Sequence, residues 1–230
     1  ISLFLSQNLL SKEHHLKHLR VIWHEEPSKH AVIAWSGQKA VRGQFLKLTR
    51  QEKRGNSTMS VSIKTQKALG IKPYLHSVSL NDLQANSKYS FSVNTNGSES
   101  KTFYFITPPE KGKTFKLLFG GDSRTDRNKR REINASIKTY FSKNKDVMAL
   151  VHGGDFISNG YLWKQWDAWL EDYQLTIQSD GRILPIVPTR GNHEMRSNLF
   201  NKIFFWKKAL SMRSNYFVTR FGELSLFTLN

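Results

Sequence analysis

The chain contains no cysteine. That excludes a disulfide scaffold, a thiolate metal site and a cysteine nucleophile, and leaves the redox compartment open. No apolar stretch approaches the roughly 18 residues needed to cross a bilayer. Acidic residues are scarce: 18 Asp and Glu stand against 35 Lys and Arg, a formal net charge of +17. The excess is spread over both halves of the chain, so it is a basic surface and not a basic tail. Such a field favours anionic partners, whether phosphorylated small molecules, nucleic acid or acidic lipid. It is equally what a generally lysine-rich surface gives. A nucleic-acid module should show a clustered basic stripe with interleaved aromatic residues, and the sequence has none, so no specific nucleic-acid partner is expected. Repeats and low-complexity tracts are also missing.

What is present is core material. Fifteen Phe and six Trp among 230 residues exclude a fully disordered chain, and the length suits two domains better than one. Residues 1–18 read as an N-terminal tail. Within it, Ile1–Ser11 is compatible with the remnant of a secretion signal's apolar region, or with a short surface helix. The first alternative carries the expectation of an extracytoplasmic location, periplasmic or secreted.

From residue 19 to 109 the texture is short alternating runs separated by polar turns. LRVIW (19–23), AVIAWS (31–36), QFLKLTR (44–50), MSVSIKT (59–65), YLHSVSL (74–80), KYSFSVNT (88–95) and KTFYFIT (101–107) are the strand candidates. Short strands at this spacing predict an all-β sandwich. Leu83, six residues before Tyr89 at the start of a strand, has the spacing of a tyrosine corner, in which the phenol bonds upstream backbone. This half resembles a fibronectin type III module. Thr107-Pro108-Pro109 then breaks the pattern, since proline cannot extend a ladder.

Beyond the linker, over 110–230, the periodicity changes. FKLLFGGD (115–122), VMALVHGGD (147–155) and RILPIVPTRGNHE (182–194) are continuous apolar runs, as strands buried on both faces should be. Residues 128–143 and 161–177 carry apolar side chains at helical spacing between them. Strand–helix alternation predicts a parallel sheet. A further helix near 198–210 and two strands, NYFVTRF and ELSLFTL, follow.

Each of the three parallel strands ends in a polar cluster: Gly120-Gly121-Asp122-Ser123-Arg124, Gly153-Gly154-Asp155 and Gly191-Asn192-His193-Glu194. Ligands of open α/β sheets bind at the carboxyl ends of strands, so the clusters should converge. Asp and Asn oxygens with imidazole suit hard or borderline divalent metals and Fe(III), and one carboxylate can bridge two of them. Two metals about 3.5–4 Å apart would clamp the phosphoryl oxygens of an in-line displacement. A single glycine–aspartate pair carries little weight, because Asp before a helix is an ordinary N-cap. Three in the correct order carry much more.

With these blocks in place, residues 19–230 resemble the calcineurin-like metallophosphoesterase superfamily, in its purple acid phosphatase-like branch. The resemblance implies a fibronectin type III-like sandwich followed by a partial α/β domain, half of a β-sandwich flanked by helices. It implies two metal ions, of Fe, Zn or Mn, and hydrolysis of phosphoric esters of small phosphorylated substrates by a hydroxide on that dinuclear centre. Residue by residue, Asp122 would bind the first metal, Asp155 would bridge both, and Asn192 would bind the second. His193 would contact the phosphate and assist the leaving group.

Two departures stand out. Relatives supply a further first-metal ligand as a His two residues after the first Asp or a Tyr three after the second; these positions hold Arg124 and Ser158. Arg124 stays protonated and cannot ligate a metal. It would be a clamp on substrate phosphate or a surface guanidinium. Without the Tyr no purple colour is expected. The later histidine motifs that finish both shells lie beyond a strand like ELSLFTL, so the chain alone should be weakly active or inactive. The alternative is a catalytically degraded relative that binds phosphorylated or polyanionic ligands.

Overall fold

The computed structural model describes residues 16–38, 43–52, 55–68, 70–95, 97–205 and 216–229. The segment Ile1–Ser11 and the second half of the helix expected near 198–210 lie outside them. Nine strands come first: β1 (Lys17–Ile22), β2 (Ala31–Gly37), β3 (Phe45–Glu52), β4 (Gly55–Ser62), β5 (Lys64–Gln66), β6 (Tyr74–Leu80), β7 (Lys88–Thr95), β8 (Ser98–Glu99) and β9 (Phe103–Ile106). Then follow β10 (Lys116–Gly120), α1 (Arg127–Lys143), β11 (Val147–His152), α2 (Trp163–Tyr173), β12 (Ile186–Pro188), α3 (Leu199–Ile203), β13 (Phe217–Phe221) and β14 (Leu224–Thr228). The sandwich and the partial α/β unit are both there.

They are joined by one sheet. Its order is β10-β11-β12-β1-β2-β6-β5, with β10, β11 and β12 mutually parallel and β12 parallel to β1. The backbone N–H of Trp23 donates to Ile186 at 3.0 Å and extends that seam. A second sheet, β4-β3-β7-β8 with β9 on β7, closes the sandwich, and β13-β14 form a hairpin. Because the large sheet is covered on both sides, its strands alternate between two cores. On β2, Ala31, Ile33 and Trp35 enter the core between the two sheets, while Val32 and Ala34 enter the core under the helices with Trp166, Trp169 and Phe156. A fully buried side chain of the Phe class contributes about 1.5–3 kcal/mol.

The tyrosine corner has its bond: the N–H of Gln84 donates to Tyr89 Oη at 2.8 Å. Two expectations need correction. MSVSIKT is not one strand, because the chain changes sheets at Ile63: β4 pairs with β3, and β5 pairs with β6. Alternation continues through the crossing, so the periodicity gave no sign of it. FKLLFGGD is not buried on both faces. β10 is the last strand of the large sheet, has one neighbour, and leaves Phe119 67% exposed.

Candidate metal and phosphate site

Parallel pairing sets the three loops at one level. Gly120 is in register with His152, and His152 with Pro188, so the chain leaves all three strands along the same edge. The first two loops are stitched by backbone: Gly153 N–H donates to Gly120 at 2.7 Å, and Asp122 N–H to Gly154 at 2.9 Å. Asp122 and Asp155 both take positive φ, 52° and 55°. Such strained non-glycine residues cost about 1–3 kcal/mol each and mark places where the surroundings fix the backbone. Gly154 has φ 96°, and a Cβ there would lie 2.6 Å from the Gly191 nitrogen. A Cβ on Gly191 would run into the Asp155 carboxylate. Glycine at these two positions is what lets the second and third loops touch.

Asp155 is the meeting point. Its Oδ1 accepts the His193 backbone N–H at 3.0 Å, and its Oδ2 lies 3.2 Å from Arg124 Nη1. Burial pushes this carboxyl up, but the His193 N–H and the Arg124 guanidinium more than offset it and hold the group below the usual carboxylate range. The same Arg124 Nη1 is ion-paired to Asp122 Oδ1. Asp122 and Asp155 are therefore gathered on one nitrogen, with Asp122 70% exposed and Asp155 16%. Asn192 is exposed, between Gly191 and His193, both of which rest on Asp155. His193 Nδ1 is 3.0 Å from the Ser158 carbonyl. A carbonyl only accepts, so Nδ1 carries the proton there, and Nε2 is the free position of the neutral ring.

Sequence reasoning missed the supports. Glu194 is fully buried and accepts backbone N–H groups from Gly191 at 2.7 Å, Phe156 at 2.8 Å and Asp155 at 3.0 Å. Burial raises its carboxyl above the ordinary value, against the pull of those bonds. Ser123 Oγ is 2.8 Å from His152 Nε2 and accepts the Trp169 indole N–H at 2.8 Å. His152 Nδ1 accepts the Gly154 N–H at 3.2 Å, so this buried ring is a core histidine, with its pKa pushed down to about 3 by burial. Arg130 Nη1 donates to the Ser123 carbonyl at 2.8 Å and is itself held by buried Asp172. The signal for Asp172 was available: an acid on the apolar face of α2, one turn beyond Trp169, must have a partner.

Two carboxylates and a carboxamide form a hard-oxygen set suited to a cation. Each Asp155 oxygen retains a lone pair beyond the bond it already accepts. Asp155 therefore keeps acceptor capacity for a cation. The space between Asp122 and Asp155 does not fit a second, because Arg124 is in it. Asp126 caps α1 by accepting the Lys129 N–H at 3.1 Å, and Asn159 Oδ1 accepts the Tyr161 N–H at 3.0 Å. Among the described residues no group of three or more His, Asp or Glu is placed to hold an ion together.

Residues 16–107 match the purple acid phosphatase N-terminal domain, and residues 115–229, half the chain, match the calcineurin-like phosphoesterase family. No curated protein matches the chain. Among solved structures, a purple acid phosphatase from yellow lupin (Lupinus luteus) seeds aligns over 93% of this chain and 45% of its own, at 14% identity and TM-score 0.64. A PhoD structure aligns over 94% of this chain and 52% of its own, at 12% identity and TM-score 0.51. The chain thus spans about half the length of these two structures, and at such identities they attest the fold. Sheet order, interlocked strand-end loops and both family matches agree: the chain belongs to the calcineurin-like phosphoesterase family, with the N-terminal domain of purple acid phosphatases.

Proposed function

We propose that the protein hydrolyses phosphoric esters, in the manner of an acid phosphatase, at the edge where Asp122, Asp155, Asn192 and His193 meet. The observation that supports this most is the gathering of three strand-end loops on the Asp155 carboxylate, in a chain of phosphoesterase family. Asp155 and Asn192 would hold a metal ion, Fe, Zn or Mn, which when bound supplies Lewis acidity toward a phosphoryl oxygen. The chain's own contribution centres on His193. Its Nδ1–H···O=C bond to Ser158 fixes the ring's orientation. In the imidazolium form Nε2–H can hold a phosphoryl oxygen and give its proton to the departing ester oxygen. The basic surface would draw anionic esters toward the site. A small phosphorylated substrate and an extracytoplasmic location belong to the same proposal.

A second reading, a relative that binds phosphorylated ligands without turning them over, is favoured by one feature, the guanidinium lodged between the carboxylates.

Leaving-group dependence tests the role of His193 in the full-length protein. His193→Ala should lower kcat by about 10²–10⁴ for alkyl phosphates, whose leaving oxygen needs a proton. It should lower kcat far less for nitrophenyl phosphate. Equal losses for both substrates would remove His193 as the proton donor.

A further inference from the structure

Arg124 is two residues past Asp122, on the loop leaving β10, and its side chain is 26% exposed. Its Nη1 touches Asp122 Oδ1 and lies 3.2 Å from Asp155 Oδ2. A cation shared by these carboxylates would compete with this guanidinium for the gap between the same two strand ends. We propose that Arg124 is the resident cation of this position, so that the protein binds one metal ion fewer than the pair its family resemblance implies.

Three observations carry this. A guanidinium is a cation with five N–H donors and no lone pair to give a metal. Seating a divalent ion there would break both ion pairs and leave a mostly buried guanidinium beside a dication. The backbone groups and the carboxylate nearest along the chain are already engaged. At position 158, the carbonyl is taken by His193 Nδ1 and the N–H by Gln165 Oε1 at 2.9 Å. The nearest further carboxylate along the chain, Asp126, caps a helix. The charge count agrees: two carboxylates and one guanidinium sum to −1, which one divalent ion turns to +1 and two would turn to +3.

A guanidinium neutralises carboxylates and can hold a phosphoryl oxygen, but it cannot polarise bound water as a metal ion does. The site would then divide the labour between one ion and one arginine. The inference uses the proposed site for its location and does not require turnover.

Metal counting on the full-length protein tests it. The protein is stripped with chelator, reloaded with Mn²⁺ or Zn²⁺, dialysed and analysed by mass spectrometry. Wild type should hold fewer than two equivalents, and Arg124→His one more than wild type. The gained Mn²⁺ should give an exchange-coupled electron paramagnetic resonance signal that wild type lacks. Two equivalents in wild type would overturn the inference, and so would equal counts in the two proteins. Melting in chelator is the second readout. Arg124→Ala should melt lower than wild type, because it leaves two carboxylates facing each other; an unchanged or raised melting temperature would also overturn the inference. The hydrolase reading fails separately, if wild type with its metal shows no turnover of any phosphate ester.

Discussion

Glu194 shows how much one side chain can organise. It is fully buried, and it accepts three backbone N–H groups from the two loops that build the site. Leaving buried donors unpaired costs about 1–3 kcal/mol each. Glu194→Ala should therefore destabilise the fold by about 3–5 kcal/mol in denaturant titration, and a loss under about 1 kcal/mol would contradict the arrangement. The sequence displayed the Gly-Asn-His-Glu block, so the neighbourhood was legible while the task of its last residue was not. An acid that bonds backbone has no partner residue to give it away. His18 was silent for a similar reason. It is buried beside Ser36, with Nδ1 3.0 Å from Ser36 Oγ, and Asp167 Oδ1 lies 3.4 Å from Nε2. Burial, with Arg20 and Lys17 nearby, brings its pKa from 6.5 to about 3. The unfolded chain takes up a proton below its own pKa and the folded one does not, so stability is complete above about pH 6.5 and falls as pH drops toward 3. By pH 4 this one ring would cost about 3 kcal/mol. His18→Gln should flatten the pH dependence of the melting temperature between pH 7 and 4; an unchanged slope would show that His18 is not its source.

At the scale of elements, α1 is held less by apolar packing than by charge. Of its side chains only Asn134 and Phe141 are buried. Arg127, Arg130 and Arg131 all reach Asp172 of α2, at 3.1, 2.8 and 2.9 Å. Asp172 is fully buried and Arg130 nearly so, whereas Arg127 and Arg131 are about half exposed. The Arg130 pair should dominate, because exposed pairs contribute little. Removing one partner of a buried pair strands the other charge, so Asp172→Ala should cost about 3–5 kcal/mol. It should also speed hydrogen exchange in α1 and around Ser123, whose carbonyl Arg130 holds. Exchange unchanged at Ser123 would separate the ion cluster from the site. Both helices were legible from their 3.6-residue periodicity; the ends of α1 fall within one residue of those expected, whereas α2 is shorter than the 161–177 pattern. The strand run at 59–65 was not, since a chain can keep alternating while it passes from one sheet to another.

At the scale of the molecule, the sequence divides at Pro108-Pro109 while the structure runs one sheet across that division through β12 and β1. Pairing between strands so distant in sequence leaves no local signature, which is why a two-part reading missed the seam. The convergence of the strand-end blocks was legible, because parallel order and crossover length together demand it. The inward turn of Arg124 was not, since the sequence offers the same residue to substrate, solvent or a carboxylate. Everything proposed about function rests on those blocks forming a single phosphoester site around Asp155. Turnover of an aryl phosphate by full-length protein, wild type against Asp155→Ala at matched folding, tests this most directly. Wild type should show measurable metal-dependent turnover, and the variant a loss of at least about 100-fold in kcat/KM, on the order of 3 kcal/mol of transition-state stabilisation. Turnover that survives Asp155→Ala would contradict it, as would a folded, metal-loaded wild type that hydrolyses no phosphate ester.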